Sequence, residues 1–212
     1  MSSNLIAEIS EFWLGQSLTG PDAAAGRRDF WYRGGDAVDN EIRERFLGLV
    51  TKACDGELTE WGRTPEGAFV LIILLDQFTR NMFRNFPGAY AGDALAFSVV
   101  SDAIDNALDR KLHPVQRIWL YHPFHHSEVA AEQDRGIRLL HDIRDTASEE
   151  WRPYIERSIT GWTRHRNIVA RFGRFPHRNH VLGRDSTLDE SAFLETEGES
   201  FGQGPRRLKD LQ

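Results

Sequence analysis

From Ala68 to Leu75 the chain reads AFVLIILL, eight apolar residues with no polar interruption. As a helix, this run has no polar face to turn toward water, so other elements must surround it on every side. It is far short of the roughly 18 residues needed to cross a bilayer. A helix start lies just before it. Thr64 can accept from first-turn amides, Pro65 suits the first helical position, and Glu66 favours the positive end of the helix dipole. Asp76 follows the run directly. A carboxylate emerging from a buried helix must be paired or must face a wet cavity. The chain is therefore expected to build a helical domain around residues 63–84, with a polar feature at the far end of that helix.

The other segments also read as helices. Leu5, Ile6, Ile9 and Trp13 share one face, and Gly15 can end that helix. Residues 16–35 hold Gly20-Pro21, Gly26 and Gly34-Gly35 and read as a long connection. Asp36 can cap a helix with the stripe Val38, Ile42, Phe46, Leu49 and Ala53, closed by Gly56. After PGAYAGD breaks the chain, Asp93 can cap a helix carrying Leu95, Val99, Ala103 and Ala107. Pro114 can open a short helix that Pro123 stops. Ser127 is expected to cap the helix EVAAEQDRGIRLLHDIRD. The next opens at Ser148 and runs to Phe172, where Gly173 ends it, and TLDE at 187–190 has capping-box spacing. No stretch alternates over four or more residues as a strand would. The expectation is an all-α single domain over residues 1–196, of about eight to nine helices. Residues 197–212 are expected to form a mobile polar tail.

Length and charge narrow the function classes. A chain of 212 residues can bury a sizeable core. It carries 26 basic and 32 acidic residues, a net charge of −6. Nucleic-acid backbones need a broad cationic face, so nucleic acid is not an expected partner, and neither is a membrane. The opening MSSNLIAEISEFWLG lacks the basic and apolar regions of a signal peptide. Cys54 is the single cysteine, which excludes an internal disulfide and a cysteine-based zinc site, and it reads as buried and inert. These features point to the cytoplasm. The acidic average hides one segment: from Arg157 to Arg184 there are seven arginines and three histidines but no Asp or Glu.

Inside that segment lies RFGRFPHRNH, residues 171–180. Gly173 permits a left-handed turn, Pro176 holds Phe175 extended, and Phe172 and Phe175 anchor the loop. Arg174, His177, Arg178 and Asn179 are then presented from a defined backbone. The plainer reading has these donors satisfying helix C-terminal carbonyls. Asp76 and Arg80, four residues apart, share a helix face. They form a simple ion pair, or Asp76 orients the Arg80 fork toward an anion while Asn81 and Arg84 add donors. In PFHHSE, residues 123–128, His125, His126 and Glu128 invite a metal reading. Their spacing matches no metal motif and a helix cap accounts for Ser127 and Glu128, so no metal is expected and His126 reads as a pocket hydrogen-bonder. His165, on a face with Ile168 and Phe172, reads as a core histidine alone, and as a ligand donor in the company of Arg171, Arg174 and His177. No nucleophile elbow, phosphate loop or dinucleotide glycine motif occurs, and no cofactor is expected.

FWLG, IILLDQFTRNMFR, PFHHSE and RFGRFPHRNHVLGRDST resemble the motifs of the bacterial domain-of-unknown-function 924 family. The likeness extends over nearly the whole chain. It implies an all-helical fold similar to tetratricopeptide repeats, with helices in antiparallel pairs, and it brings no established activity. The family pattern reads DQFPRN. Thr79 takes the proline's place here, which lets the helix continue. His125 departs from the family pattern, whereas His126, Ser127 and Glu128 fit it. The other motif positions carried over are Asp76, Gln77, Arg80, Asn81, Arg171, and the run Arg174 to Asn179.

These readings converge on one polar pocket that binds a small anionic molecule or a peptide carboxylate. Its expected ligand-binding residues are Arg80, Asn81, His126, Glu128, His165, Arg174, His177, Arg178 and Asn179. One alternative is an enzyme, a hydrolase or isomerase, in which His126 or His177 moves a proton with Glu128 or Asp76 as partner. The other is a structural ion-pair network in a protein-interaction scaffold. One geometry separates them: whether segments 76–81, 126–128 and 174–179 meet at a cavity.

Overall fold

The computed structural model describes residues 2–196, and no strand occurs among them. The chain opens with α1 (Ser2–Leu14), α2 (Pro21–Gly26), α3 (Arg28–Arg33) and α4 (Gly35–Cys54). Helix α5 (Pro65–Ile72) runs on through a π-helical segment (Ile73–Phe78) into α6 (Thr79–Met82). Then come α7 (Asp93–Asp105), α8 (Pro114–Leu120), α9 (His122–His126), α10 (Ala130–Thr146), α11 (Arg152–Phe172) and α12 (Leu188–Thr196). The fold is an all-α single domain. The tail expected at 197–212 lies outside the described residues.

The apolar run is its axis. Every residue from Ala68 to Leu75 is at most 2% exposed. Helices α1, α4, α7 and α8 pack around this helix and its π-helical extension. Thr64 caps it as expected, accepting from Gly67 N at 3.1 Å. At its base sits an aromatic cluster: Phe12, Trp13, Phe46 and Phe78 meet with ring centroids 5.1–6.0 Å apart, and Trp119 joins at 5.0 Å from Trp13. Each such side chain contributes about 1.5–3 kcal/mol on burial. Helices α10 and α11 form a hairpin beside this core. The left-handed Gly173, at φ +72°, ends α11 and lets the chain turn back. A smaller cluster of Ile168, Val169, Phe175 and Phe193 then fastens α12 over the loop.

The π-helical segment is the departure that matters. A π turn inserts one extra residue, which rotates everything after it around the helix axis. It carries the Asp76-Gln77 pair, and the helix does continue past Thr79, whose hydroxyl donates to Leu75 O at 2.8 Å. The following turn presses onto it so closely that a Cβ on Gly92 would stand 2.3 Å from Leu75 O. Only glycine fits there, and that approach brings Tyr90 and Asp93 beside the segment.

Five local expectations need correction. Residues 16–35 are not a plain connection but contain α2 and α3. Helix α4 starts at Gly35, ahead of Asp36, with no side-chain cap. Asp93 is the first residue of α7 rather than its cap, and its carboxylate is engaged by Arg80. Pro123 does not stop a helix but sits in the first turn of α9, where its missing N–H is harmless. Ser127 precedes α10 by a few residues; its hydroxyl accepts from Val129 N at 3.0 Å and donates to Glu132. The TLDE capping box forms as expected, with Glu190 N to Thr187 Oγ1 at 3.2 Å and Thr187 N to Glu190 Oε2 at 2.8 Å.

Candidate functional site

Asp76 is 1% exposed and is the hub of the site. His126 Nδ1 donates to both its oxygens, at 2.8 and 2.9 Å. Gln77 Nε2 donates to it at 2.6 Å, and Arg80 Nη1 lies 3.0 Å away. Arg80 is then closed off from the other side. Its Nη1 and Nη2 form a bidentate pair with Asp93 at 2.9 and 3.0 Å. The idea that Asp76 leaves the Arg80 fork free for an anion therefore does not hold, because a second carboxylate takes it. Asn81 and Arg84 are similarly engaged by Asp39, with bonds of 2.7, 2.9 and 3.0 Å.

Beside this network opens a cavity of about 1110 Å³. The three motif segments meet there: Arg80, Asn81, His126, His165, His177 and Arg178 all contribute to its wall. Glu128, Arg174 and Asn179 do not. Glu128 accepts from Arg184 at 2.7 and 3.0 Å and from Phe175 N at 2.8 Å. Arg174 grips Glu190 at 2.7 and 2.8 Å and Asp185 O at 2.9 Å. Asn179 bonds to Ser186 and Glu190. Arg174 and Asn179 thus tie the loop to Glu190 of α12, and Glu128 ties it to the segment ahead of α10. The 171–180 stretch thus divides: Arg174 and Asn179 bond to the α12 segment, while His177 and Arg178 line the cavity.

Arg178 faces inward and is 6% exposed. Its Nη2 donates to His126 O at 2.9 Å, and its guanidinium lies 4.4 Å from the Phe175 ring centroid and 4.9 Å from that of Tyr90. Its Nε is buried without a hydrogen-bond partner, as is the Tyr90 hydroxyl. Among the described residues no carboxylate forms an ion pair with it. Burial, with the Arg80 guanidinium adding to it, lowers its pKa to about 10, so the cation persists at neutral pH.

Five histidines surround this point. Burial pushes His122 and His165 down to about 4. Burial also holds His125, His126 and His177 well below the usual range, with the nearby arginines and neighbouring rings pressing the same way. All five are neutral near pH 7. The tautomers of three follow from their partners, since a carbonyl or carboxylate can only accept. His126 Nδ1–H serves Asp76, His122 Nδ1–H serves Ile118 O at 2.9 Å, and His165 Nδ1–H serves Gly161 O at 3.1 Å. His125 stacks on Trp162 at 4.7 Å. Among the described residues, no group of three His, Cys, Asp or Glu side chains has the geometry to hold a metal ion.

Sequence reasoning missed His122, Tyr90, Asp39, Asp93 and Arg184. His122 carried a signal, since it stands one helical turn before His126. The three carboxylate and arginine partners carried none, because their significance lies in pairs distant along the chain.

A family model described as a bacterial protein of unknown function, DUF924, matches residues 9–198. The solved structure of ATU0120, a protein of unknown function from Agrobacterium tumefaciens, is similar to this chain at 33% identity and a TM-score of 0.77. The match covers 92% of this chain and 99% of that one. No curated protein matches the chain.

Proposed function

The chain belongs to the bacterial DUF924 family, whose name carries no activity, and from its site we propose that the cavity binds a small anionic molecule with Arg178 as the anchor. One observation carries this reading: Arg178 is a buried cation on the cavity wall with no carboxylate partner. A buried charge with no direct ion pair is costly; Asp93 and Glu128 act on it only from beyond contact, and a carboxylate or phosphate bound through the guanidinium fork would offset the remainder. The wall has the matching sign. Seven arginines and two aspartates line it, although the chain as a whole is acidic. At about 1110 Å³ the cavity is slightly larger than the roughly 300–1,000 Å³ of small-molecule pockets, so it has room for a small molecule. Neither a nucleic-acid nor a membrane partner is part of this reading. No described helix is long and apolar enough to cross a membrane. The lone Cys54 and the absence of any disulfide framework favour the cytoplasm as the place of action.

Thermal unfolding in the presence of inorganic phosphate and short carboxylates tests the proposal. The wild-type protein is expected to gain several degrees with at least one anion series, and Arg178→Met is expected to show no gain. No shift with either series, or an equal shift in the variant, overturns it.

One observation also favours an enzyme. Asp76 and His126 form a carboxylate–imidazole pair, the arrangement that orients a general base. Ser158, a hydroxyl on the same wall, donates to Tyr154 O rather than to a histidine. The chemistry this supports is direct proton transfer with the bound molecule. Turnover that survives His126→Asn would reject it.

A further inference from the structure

The site has a second polar property, independent of its charge. Asp76 accepts from three neighbours, and in doing so it uses up the single ring donor of His126 and fixes the amide of Gln77. His126 commits its Nδ1–H to Asp76, so its Nε2 is a bare lone pair. Gln77 commits one of its two amide N–H groups, which fixes the amide and leaves its Oε1 as an acceptor with the second N–H beside it. Ile118 O does the same to His122, whose Nε2 is then also a lone pair. Among the described residues nothing hydrogen-bonds to His126 Nε2, Gln77 Oε1 or His122 Nε2, and all three side chains line the cavity. Burial keeps both imidazoles neutral, so protonation does not convert these acceptors into donors near pH 7.

Among the described residues the wall therefore offers one buried cation without an ion-pair partner and, beside it, a group of hydrogen-bond acceptors. The two are physically joined: Arg178 donates to the backbone carbonyl of His126 itself. A ligand that fills both needs an anionic group for Arg178 and hydrogen-bond donors for the acceptors. Ammonium donors would be repelled by the excess of arginines around the cavity, whereas hydroxyl donors would not. We propose that the cavity selects a hydroxylated anion, with its carboxylate or phosphate on Arg178 and a neighbouring hydroxyl donating to His126 Nε2, Gln77 Oε1 or His122 Nε2. Hydroxy acids and sugar phosphates share this chemistry. The proposal rests on the anion-binding reading and adds the ligand's second half.

The physical basis of selection is asymmetric. A plain anion would desolvate the acceptors without replacing their water hydrogen bonds, and a buried acceptor left unpaired is costly. Sites built to hydrogen-bond a hydroxyl discriminate strongly against analogues that lack it.

Calorimetric titration of the purified full chain with matched series tests this. Lactate is compared with propionate and with 2-methoxypropionate, and glycerol 3-phosphate with propyl phosphate. The hydroxylated member of at least one series is expected to bind about tenfold or more tightly than its plain counterpart. In the carboxylate series the methyl ether, which accepts but cannot donate, is expected to bind no better than propionate. In His126→Asn an amide can still donate to Asp76, but the Nε2 acceptor is lost. There the ratio of the two affinities is expected to fall toward one, whatever happens to anion binding as a whole, and Gln77→Met provides a second variant. The wild-type comparison stands even if neither variant folds. Equal binding of hydroxylated and plain anions, or equal binding of alcohol and ether, overturns the proposal. If plain anions bind through Arg178 and the hydroxyl adds nothing, the anion reading survives and this one falls. If no member of either series binds, both fall.

Discussion

Arg80 and Arg178 look alike in the sequence, since each is an arginine followed by asparagine in a polar motif. The structure gives them opposite characters. Arg80 is closed in by Asp76 and Asp93, so removing it leaves two carboxylates without their cation. Arg80→Met is expected to cost about 3 kcal/mol in urea denaturation, the usual scale for breaking a buried pair. Arg178 has no carboxylate in direct contact, so Arg178→Met removes a buried charge held by no ion pair and substitutes a side chain that can pack between Tyr90 and Phe175. That variant is expected to be at least as stable as the wild type, by the same measurement, while losing anion binding. A large loss of stability in Arg178→Met would mean that its contacts are structural. The contrast was invisible in the sequence because it turns on Asp93, which sits at a helix start and reads there as nothing more than a cap.

At the scale of elements, local chemistry was largely legible. The Thr64 cap, the Gly173 turn and the Thr187–Glu190 box depend on residues within one helical turn, and all three formed. The π-helical segment was not legible, because ILLDQF has the composition of any buried helix. Against it presses Gly92, 17 residues further along the chain. Gly92→Ala would put a methyl 2.3 Å from Leu75 O, so backbone must shift on one side or the other. The expected loss is about 2 kcal/mol, with anion affinity falling alongside, because Asp76 and Arg80 ride on the displaced segment. Gly48→Ala is the control. Gly48 is exposed within α4 and nothing stands within 4 Å of its added Cβ, so alanine is expected to stabilise by about 0.5–1 kcal/mol. Melting temperatures of the two variants should move in opposite directions.

At the scale of the whole molecule, the buried histidines tie stability to pH. His122 and His165 are pushed down to about 4 by burial, whereas in the unfolded chain a histidine titrates near 6.5. Between those values the unfolded chain binds more protons than the native one. Stability is therefore expected to fall as pH drops from about 6.5 toward 4, by up to about 1.4 kcal/mol per pH unit for each such histidine. Glu190 acts in a lower window. Its bonds from Arg174 hold it near 2, so its contribution is present above about 4.5 and disappears as pH falls toward 2. Melting temperature followed by circular dichroism should thus decline already between pH 6.5 and 5, before most carboxylates titrate. A bound anion would ease protonation of the histidines beside Arg178 and so flatten that decline. A flat curve over this range would contradict the burial of these rings as neutral groups.

The chain's own pattern was enough for the all-helical class, the central buried helix and most of its helix boundaries. Those follow from periodicity and from bonds reaching three or four residues along the backbone. It also marked three segments that meet at the cavity, because polar residues beside apolar runs must find partners or water, but not the part of the wall that residues 28–43 supply. Which of them found partners was settled by folding. The deciding contacts join residues 13 apart for Arg80 and Asp93, 50 apart for His126 and Asp76, and 56 apart for Arg184 and Glu128. Electrostatic pairing depends on distance through space: the local reading offered the Asp76–Arg80 pair, which forms, but it could not tell that Asp93 would take the rest of the Arg80 fork or that Arg174 and Glu128 would be neutralised. Nor could it tell that Arg178 and the open nitrogen of His126 would be left facing the same cavity.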